Sequence, residues 1–410
     1  MLVTIIGAGA AGCFAAIELK RLCPNLEVKV LEGGNRPLAK VMITGGGRCN
    51  LTNSFLGVKS LEKVYPRGHR LMKHLFHDFD NEATFHWWEN EGVRLLTQAD
   101  ECVFPRSQRA GEIVEKLLEL MRQHEVDLIT QARVTAIRPF EEKPGYELTL
   151  KDGRTLQSDV VLIATGGVQT GWQREMLEGC PLALEAPLPS LFSFVIKNEA
   201  LTNLTGLVVR DAVASLPGTK FKAQGALLIT HWGLSGPAIL KLSSYAARWM
   251  AERDYRCPLS INWMQGATEN EVRESLNTLA TQNPQKYVGS IHPNHLQSRL
   301  WGLILQQAGI GESLRWCELS GKPLNRLVTM LTATPYAVEG KNRFKEEFVT
   351  CGGVALGEIN PKTLESKKHP GLYLAGEVLD VDAITGGFNL QAAWTMGFVA
   401  AKSIAARHPD

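Results

Sequence analysis

Six residues near the start constrain this chain more than any other feature. Gly7-Ala8-Gly9-Ala10-Ala11-Gly12 follows the β-rich run Leu2-Val3-Thr4-Ile5-Ile6 and opens a helical pattern that continues from Ala10 to Cys23. Gly7 permits the tight turn, Gly9 lets a pyrophosphate approach the backbone, and Gly12 lets helix and strand pack closely. The helix N-terminus, beginning at Ala10 and Ala11, then offers free N–H groups and the positive end of its dipole to the phosphates. Residues 27–31 read as a second strand, and Glu32 stands at its end. It lies about 20 residues beyond the glycines, where an acid bonds ribose hydroxyls. The glycines alone are a weak signal. With strand, helix and acid in place they predict a β-α-β unit that opens a parallel sheet and holds a dinucleotide.

The C-terminal stretch decides which dinucleotide. Gly371-Leu372-Tyr373-Leu374-Ala375 reads as a strand delivering Gly376-Glu377, and the chain continues past Asp380 and Asp382 to Gly386-Gly387-Phe388-Asn389-Leu390-Gln391. The Glu377 carboxylate can reach ribityl hydroxyls. The glycine pair opens a last helix over 389–406, whose N–H groups face a flavin N1–C2=O edge, where negative charge collects on reduction. A nicotinamide dinucleotide needs no such second site, whereas a flavin spanning the sheet crevice does. The expected cofactor is therefore FAD, held non-covalently.

The most distinctive stretch is Thr44-Gly45-Gly46-Gly47-Arg48-Cys49-Asn50-Leu51-Thr52-Asn53. Three consecutive glycines expose backbone N–H groups and admit a planar ring. Arg48 is expected to neutralise pyrophosphate, and Asn50 and Asn53 to bond flavin polar atoms or hold the loop. Cys49 has no partner at C-x-x-C spacing and reads as a small packing residue.

Further along, residues 111–124 read as an amphipathic helix with Ile113, Leu117, Leu120 and Met121 on one face. Strands follow near 126–129 and from Val134, which joins the expected cofactor contacts. Segments 146–150 and 155–157 flank Asp152-Gly153 as a hairpin. Residues 160–163 form a buried strand ending in Ala164-Thr165-Gly166-Gly167, the first three of which complete the cofactor set. After Pro187-Leu188-Pro189 the texture changes to short strands at 191–196, 206–214, 220–229 and 259–263, with a helix at 238–252. Helical segments then run from 268 to 332, and α/β texture returns near Lys345. The expected architecture is an α/β Rossmann-type FAD-binding domain made of 1–190 and 341–410. Inserted into it is a domain over 191–340, β-rich to 265 and helical after that.

These motifs also carry a resemblance. Residues 7–12 with Glu32, Lys40 with 44–53, Val103-Phe104-Pro105-Arg106-Ser107, and Ala164-Thr165-Gly166-Gly167 belong to it. So do Thr230-His231-Trp232-Gly233-Leu234-Ser235-Gly236-Pro237-Ala238, Val349-Thr350-Cys351-Gly352-Gly353-Val354, Lys362-Thr363-Leu364-Glu365-Ser366-Lys367 and 376–391. By them the chain resembles, over nearly its whole length, the BaiN-like flavoprotein family, which includes aminoacetone-oxidase-like enzymes. The resemblance implies tightly bound FAD, a two-dinucleotide-binding-domain flavoprotein fold with an inserted β-barrel and helical bundle, and oxidase or reductase activity. The chain departs from the family after Gly167. A longer Ser/Pro/Gly-rich segment with a GDGY-like stretch is usual there, and Val168-Gln169-Thr170-Gly171-Trp172-Gln173 stands in its place.

The weaker candidates are balanced against packing. His231 is the one catalytic candidate, set before a Gly-Leu-Ser-Gly-Pro turn. Phe85-His86-Trp87-Trp88 reads as core aromatics at helical spacing rather than a substrate platform. His292 and His295 lack metal-ligand company, so no metal is expected. Ser235 has no nucleophile elbow.

Bulk properties narrow the class. The chain has 410 residues, 44% hydrophobic and 21% charged, with a formal net charge of +2 and no long basic block, which argues against a nucleic-acid or anionic-membrane partner. Eight scattered Cys read as reduced thiols. The apolar N-terminus lacks a basic n-region and is interrupted by Glu18, and no stretch reaches ~20 apolar residues. A cytoplasmic location follows as an expectation. The expected activity is an oxidoreductase acting on a small organic molecule, and the family resemblance implies NAD(P)H-dependent reduction of an unsaturated or carbonyl compound. With no second G-x-G-x-x-G followed by its acid, either NAD(P)H binds transiently over the flavin or dioxygen is the oxidant, and the residues leave both open. The alternatives are an amine oxidase of the aminoacetone type using dioxygen, a flavin-dependent tRNA modifier, and a non-enzymatic flavoprotein.

Overall fold

The computed structural model describes residues 1–168, 171–342 and 349–407. Gln169 and Thr170, in the shortened segment after Gly167, and Lys345 lie outside them. The chain divides into two compact units, Met1–Pro189 with Val349–Asp410, and Ser190–Phe348.

In the first unit the run Leu2–Ile6 is the middle strand of a five-stranded parallel sheet. It pairs with Glu27–Leu31 on one side and Val160–Ile163 on the other. Asp127–Ile129 and Leu372–Leu374 form the edges. The central strands read as continuous apolar runs because helices cover both faces of such sheets. One strand is contributed from beyond residue 370, so chain ends far apart in sequence share one core. The first helix, Ala10–Leu22, and the last, Phe388–Ala406, pack against each other. Small residues make this approach possible: a methyl group on Gly397 would meet Ala11 O at 2.7 Å. Phe14 fills the space beyond, with Trp87 at 4.6 Å and Trp394 at 5.5 Å between ring centroids. Trp87 and Trp88 are buried on the helix Asn81–Asn90, with Trp87 Nε1 donating to Glu18 Oε1 at 2.7 Å.

The proline-rich stretch read as a change of texture is itself a strand. Leu184–Ser190 pairs with Val349–Val354 in a two-stranded sheet. Prolines are tolerated there because a two-stranded sheet is all edge, and the missing N–H groups can face outwards.

The second unit is an antiparallel sheet and a helical layer. Its strand order is Thr334–Val338, Cys257–Asn262, Val208–Ser215, Lys222–Thr230, Gly233–Ser235, Phe194–Val195 and Gly340–Lys341. The first and last members are one extended segment interrupted only by Glu339, so both ends of the order meet in it. The sheet thereby closes into a barrel, which removes its open edges. The expected strand over 191–196 is shorter than its apolar content suggested, because Leu191 has φ 56 and turns the chain before Phe194. The helices Glu269–Gln282, Ser298–Ala308 and Gly321–Thr332 complete the unit, with Leu276, Trp301 and Leu331 buried. Among the described residues, no helix is long and apolar enough to cross a membrane.

Candidate active site

The glycine turn and Glu32 form one structure. Glu32 Oε2 accepts the Ala8 N–H at 2.9 Å and its Oε1 accepts the Gly34 N–H at 2.7 Å, which fixes the carboxylate at the turn with acceptor capacity to spare. A methyl group on Gly12 would collide with the Gly7 carbonyl, so helix and turn approach as closely as the motif requires. Gly9 is the N-cap of the Ala10–Leu22 helix and contributes no side-chain cap; the nearest atom to a methyl placed there is Ala164 O at 4.0 Å. Bare N–H groups of this kind suit an anion. Val134 is buried at the start of the strand Val134–Pro139, and the segment before it is tied to the same region. Ala132 N donates to Glu32 O and Gln131 N to Gly34 O, both at 2.8 Å.

Ala164, Thr165 and Gly166 leave the Val160–Ile163 strand beside Gly7. Nothing lies within 4 Å of a methyl placed on Gly166, and Thr165 Oγ1 is buried without a hydrogen-bond partner among the described residues. Such a group costs ~1–3 kcal/mol unless a ligand or water completes it. Beside Gly167, where an added methyl would lie 2.9 Å from Glu377 Oε1, Lys40 Nζ pairs with Glu377 Oε2 at 2.9 Å, while Glu377 Oε1 accepts the Thr350 N–H at 2.7 Å. Gly376 comes just before, and a methyl group added to it would lie 3.2 Å from Ala11 Cβ. Asp380 Oδ1 accepts the Gly352 N–H at 2.9 Å and so holds two loops together.

The triple-glycine stretch ends the helix Ala39–Gly47, whose helical geometry stops at Thr44. Thr44 Oγ1 donates to Val41 O at 2.7 Å, and methyls on Gly46 and Gly47 would meet nothing within 4 Å. Here the backbone itself lines open space. The Arg48 guanidinium lies 4.3 Å from the Phe104 ring centroid, and its Nε donates to Gly45 O at 3.1 Å. It is therefore a stacked cation with donors remaining rather than an extended arm. Cys49 is fully buried, and burial pushes its thiol up to about 12, with the Thr44 hydroxyl pulling the other way.

Asn50 and Asn53 reach the Gly386-Gly387 turn. Oriented to satisfy its neighbours, the Asn50 amide donates to Thr52 O at 3.0 Å and accepts the Gly387 N–H at 3.1 Å. Asn53 Nδ2 donates to Gly386 O at 3.1 Å. Asn389 is spent on the approach to the turn, accepting from Ala383 N and donating to Ala383 O, both at 2.9 Å. Leu390 follows in the first turn of the Phe388–Ala406 helix, half-buried.

Sequence reasoning missed two supports of this turn. Tyr65 Oη donates to Phe388 O at 2.9 Å, and burial raises its phenol. Arg67 forms a two-pronged ion pair with the buried Asp382. Burial alone would lower the Arg67 guanidinium, but the bond and charge of Asp382 outweigh it and hold it above its ordinary value. Neither residue sits in a periodic pattern, so no sequence signal marks them. His231 lies in the second unit, exposed between Thr230 and Trp232, its ring 4.4 Å from that of Trp232.

A family model described as HI0933-like protein Rossmann domain matches residues 1–403. The chain is 29% identical over 417 residues to the 3-dehydro-bile acid delta(4,6)-reductase of Clostridium scindens, covering 99% of each. It is 28% identical over 416 residues to the ribosomal RNA dihydrouridine synthase of Escherichia coli, covering 98% of this chain and 97% of that one. In fold it is similar to the 3-ketosteroid-delta4-(5alpha)-dehydrogenase of Rhodococcus jostii, with a TM-score of 0.51 at 15% identity over 98% of this chain and 96% of the other. The match from residue 1 to 403 includes the glycine turn, the Arg48 loop and the last-helix turn, and the chain belongs to the HI0933-like protein Rossmann family of FAD-dependent oxidoreductases.

Proposed function

We propose that the protein uses non-covalently bound FAD, reduced by NADH or NADPH, to saturate a carbon–carbon double bond conjugated with a carbonyl. One observation carries the cofactor half of this reading. Glu32 closes the glycine turn, and Gly9 beside it and Gly166 after the neighbouring strand present backbone free of side chains. The Thr165 hydroxyl next to Gly166 is unpartnered among the described residues, and Gly46 and Gly47 of the triple-glycine loop are equally bare. That cradle fits a long ligand with phosphates, hydroxyls and a flat ring. FAD supplies the two-electron carrier when bound. In this scheme Glu32 holds ribose hydroxyls, the Gly9–Ala11 N–H groups hold phosphate, and the first turn of Phe388–Ala406 offers N–H donors to the cofactor's polar edge.

The reaction half is supported by two relatives with dissimilar substrates. A delta(4,6)-reductase of a 3-dehydro-bile acid and a dihydrouridine synthase both saturate a C=C bond in conjugation with a carbonyl. The test is anaerobic stopped-flow mixing of the yellow protein with NADH or NADPH, followed by a steroid bearing a 4-ene-3-one. Loss and then return of flavin absorbance is expected. Reduction by amines instead, with reoxidation by dioxygen alone, would replace this reading by an amine oxidase.

A second reading, uracil in RNA as the substrate, is favoured by charge distribution. Residues 190–348 carry 17 Lys and Arg against 12 Asp and Glu, net +5, while the remainder carries 27 against 30, net −3. The near-neutral whole conceals a basic second unit, and a basic module is the electrostatic signature of nucleic-acid binding. Reoxidation of the reduced protein by unmodified ribosomal RNA, weakening steeply with salt, would select it.

A further inference from the structure

The two-residue strand Thr52–Asn53 is tied to its surroundings on both sides. On one side it pairs with Cys102–Pro105, Thr52 opposite Val103 and Asn53 opposite Cys102. That neighbouring strand carries Phe104, the ring beneath Arg48. On the other side it meets the start of the last helix. A methyl group on Gly387 would collide with the Thr52 carbonyl, so turn and strand are in direct contact. Thr52 Oγ1 donates to Gln391 Oε1 at 2.5 Å, Gln391 Nε2 to Thr395 Oγ1 at 3.1 Å, and Thr395 Oγ1 to Phe79 O at 2.8 Å. Asn50 and Asn53 then bond the two glycines of the turn, one through an N–H and one through a carbonyl.

Each of these bonds has a consequence for direction. Gly387 is the N-cap of a 19-residue helix, and it sits at φ 89, where the chain changes course into that helix. Where the helix starts, and towards what its first N–H groups point, depends on how that turn is held. The exposed Gly45–Arg48 loop and the helix start are thus two ends of one hydrogen-bonded block.

We propose that Asn50 and Asn53 are positioning residues. They do not touch the cofactor; they clamp the Gly386-Gly387 turn to the triple-glycine loop, and so set the first N–H groups of the last helix against the flavin. This rests on the FAD reading above. A donor aimed at charge that develops on reduction stabilises the reduced state, and one aimed slightly away does so less. The clamp therefore bears on the reduction potential as well as on retention.

The test uses the full-length holoprotein and three variants. Each is followed by dye-referenced photoreduction and by the rate of FAD release in the presence of an excess of a flavin-scavenging protein. Asn50→Ala removes the acceptor for Gly387 N–H and the donor to Thr52. It is expected to lower the flavin potential and to speed FAD release roughly tenfold, the effect of losing one or two hydrogen bonds. Asn53→Asp, which keeps an acceptor for Phe55 N–H at 2.9 Å but loses the donor to Gly386 O, is expected to act in the same direction and stands in should Asn50→Ala fail to fold. Thr395→Val loosens the same helix about two turns further on. It is expected to lower the melting temperature while leaving the potential unchanged. A wild-type potential in both asparagine variants would overturn the proposal, as would an equal shift in Thr395→Val, which would reduce the clamp to general rigidity. Wild-type protein that retains no FAD would instead overturn the cofactor reading on which the proposal stands.

Discussion

One carboxylate of Glu32 holds the glycine turn and, in the proposed function, also the ligand. Two backbone N–H groups hold it, at 2.9 Å from Ala8 and 2.7 Å from Gly34, and each oxygen keeps acceptor capacity beyond those bonds. Glu32→Ala should weaken FAD binding by roughly 10- to 150-fold, the equivalent of ~1.5–3 kcal/mol for hydrogen bonds to a charged group. Equilibrium dialysis of the apoprotein against FAD measures it, and an unchanged dissociation constant would remove Glu32 from the site. His231 poses a different question, because it is exposed and its ring stands edge-on to that of Trp232. His231→Ala should leave the FAD content at its wild-type value. A fall in turnover with intact FAD would assign it to catalysis, and normal turnover would assign it to packing on Trp232.

The elements show where local sequence preference sufficed. The helix Ala110–Gln123 matches its amphipathic pattern, with Ile113, Leu117, Leu120 and Met121 buried on the face read from spacing alone. The helix Glu269–Gln282 begins with a capping box: Thr268 N donates to Glu271 Oε2 at 2.7 Å and Glu271 N to Thr268 Oγ1 at 3.3 Å. Thr268→Ala should cost about 1 kcal/mol, seen as a lower urea midpoint at unchanged slope. The last helix depends on a special backbone position instead. A valine at Gly387 must adopt a left-handed conformation, costing roughly 1–2 kcal/mol, and must displace the Thr52 carbonyl. Gly387→Val should therefore lower the melting temperature and leave the purified protein deficient in FAD. A variant with normal FAD content would free the turn from the cofactor role given to it.

At the scale of the whole molecule, the thiols report how completely the core is sealed. Six of the eight cysteines are buried, Cys102 is intermediate and Cys317 is exposed. Burial pushes the thiols of Cys180 and Cys257 up to about 11 and that of Cys49 to about 12, so while they stay buried they carry little thiolate. Ellman's reagent at mildly alkaline pH should react fast with Cys317 and slowly with Cys102, and with the remaining six only after urea. A fast reaction at Cys49 would contradict the packing of the Arg48 loop. Much of this molecule was legible beforehand. The strand, glycine turn and helix from Leu2 to Leu22 are specified by neighbouring residues, and so is the helix after Gly387, because strand, turn and helix preferences act over a few positions. Spacing along the chain could not say that Asn50 and Asn53 turn towards Gly387 and Gly386. Nor could it pair Arg67 with Asp382, or a proline-rich stretch at 184–190 with 349–354. Those partners lie far apart along the chain, and only the folded chain, with polar groups left to satisfy after the apolar core has formed, selects them.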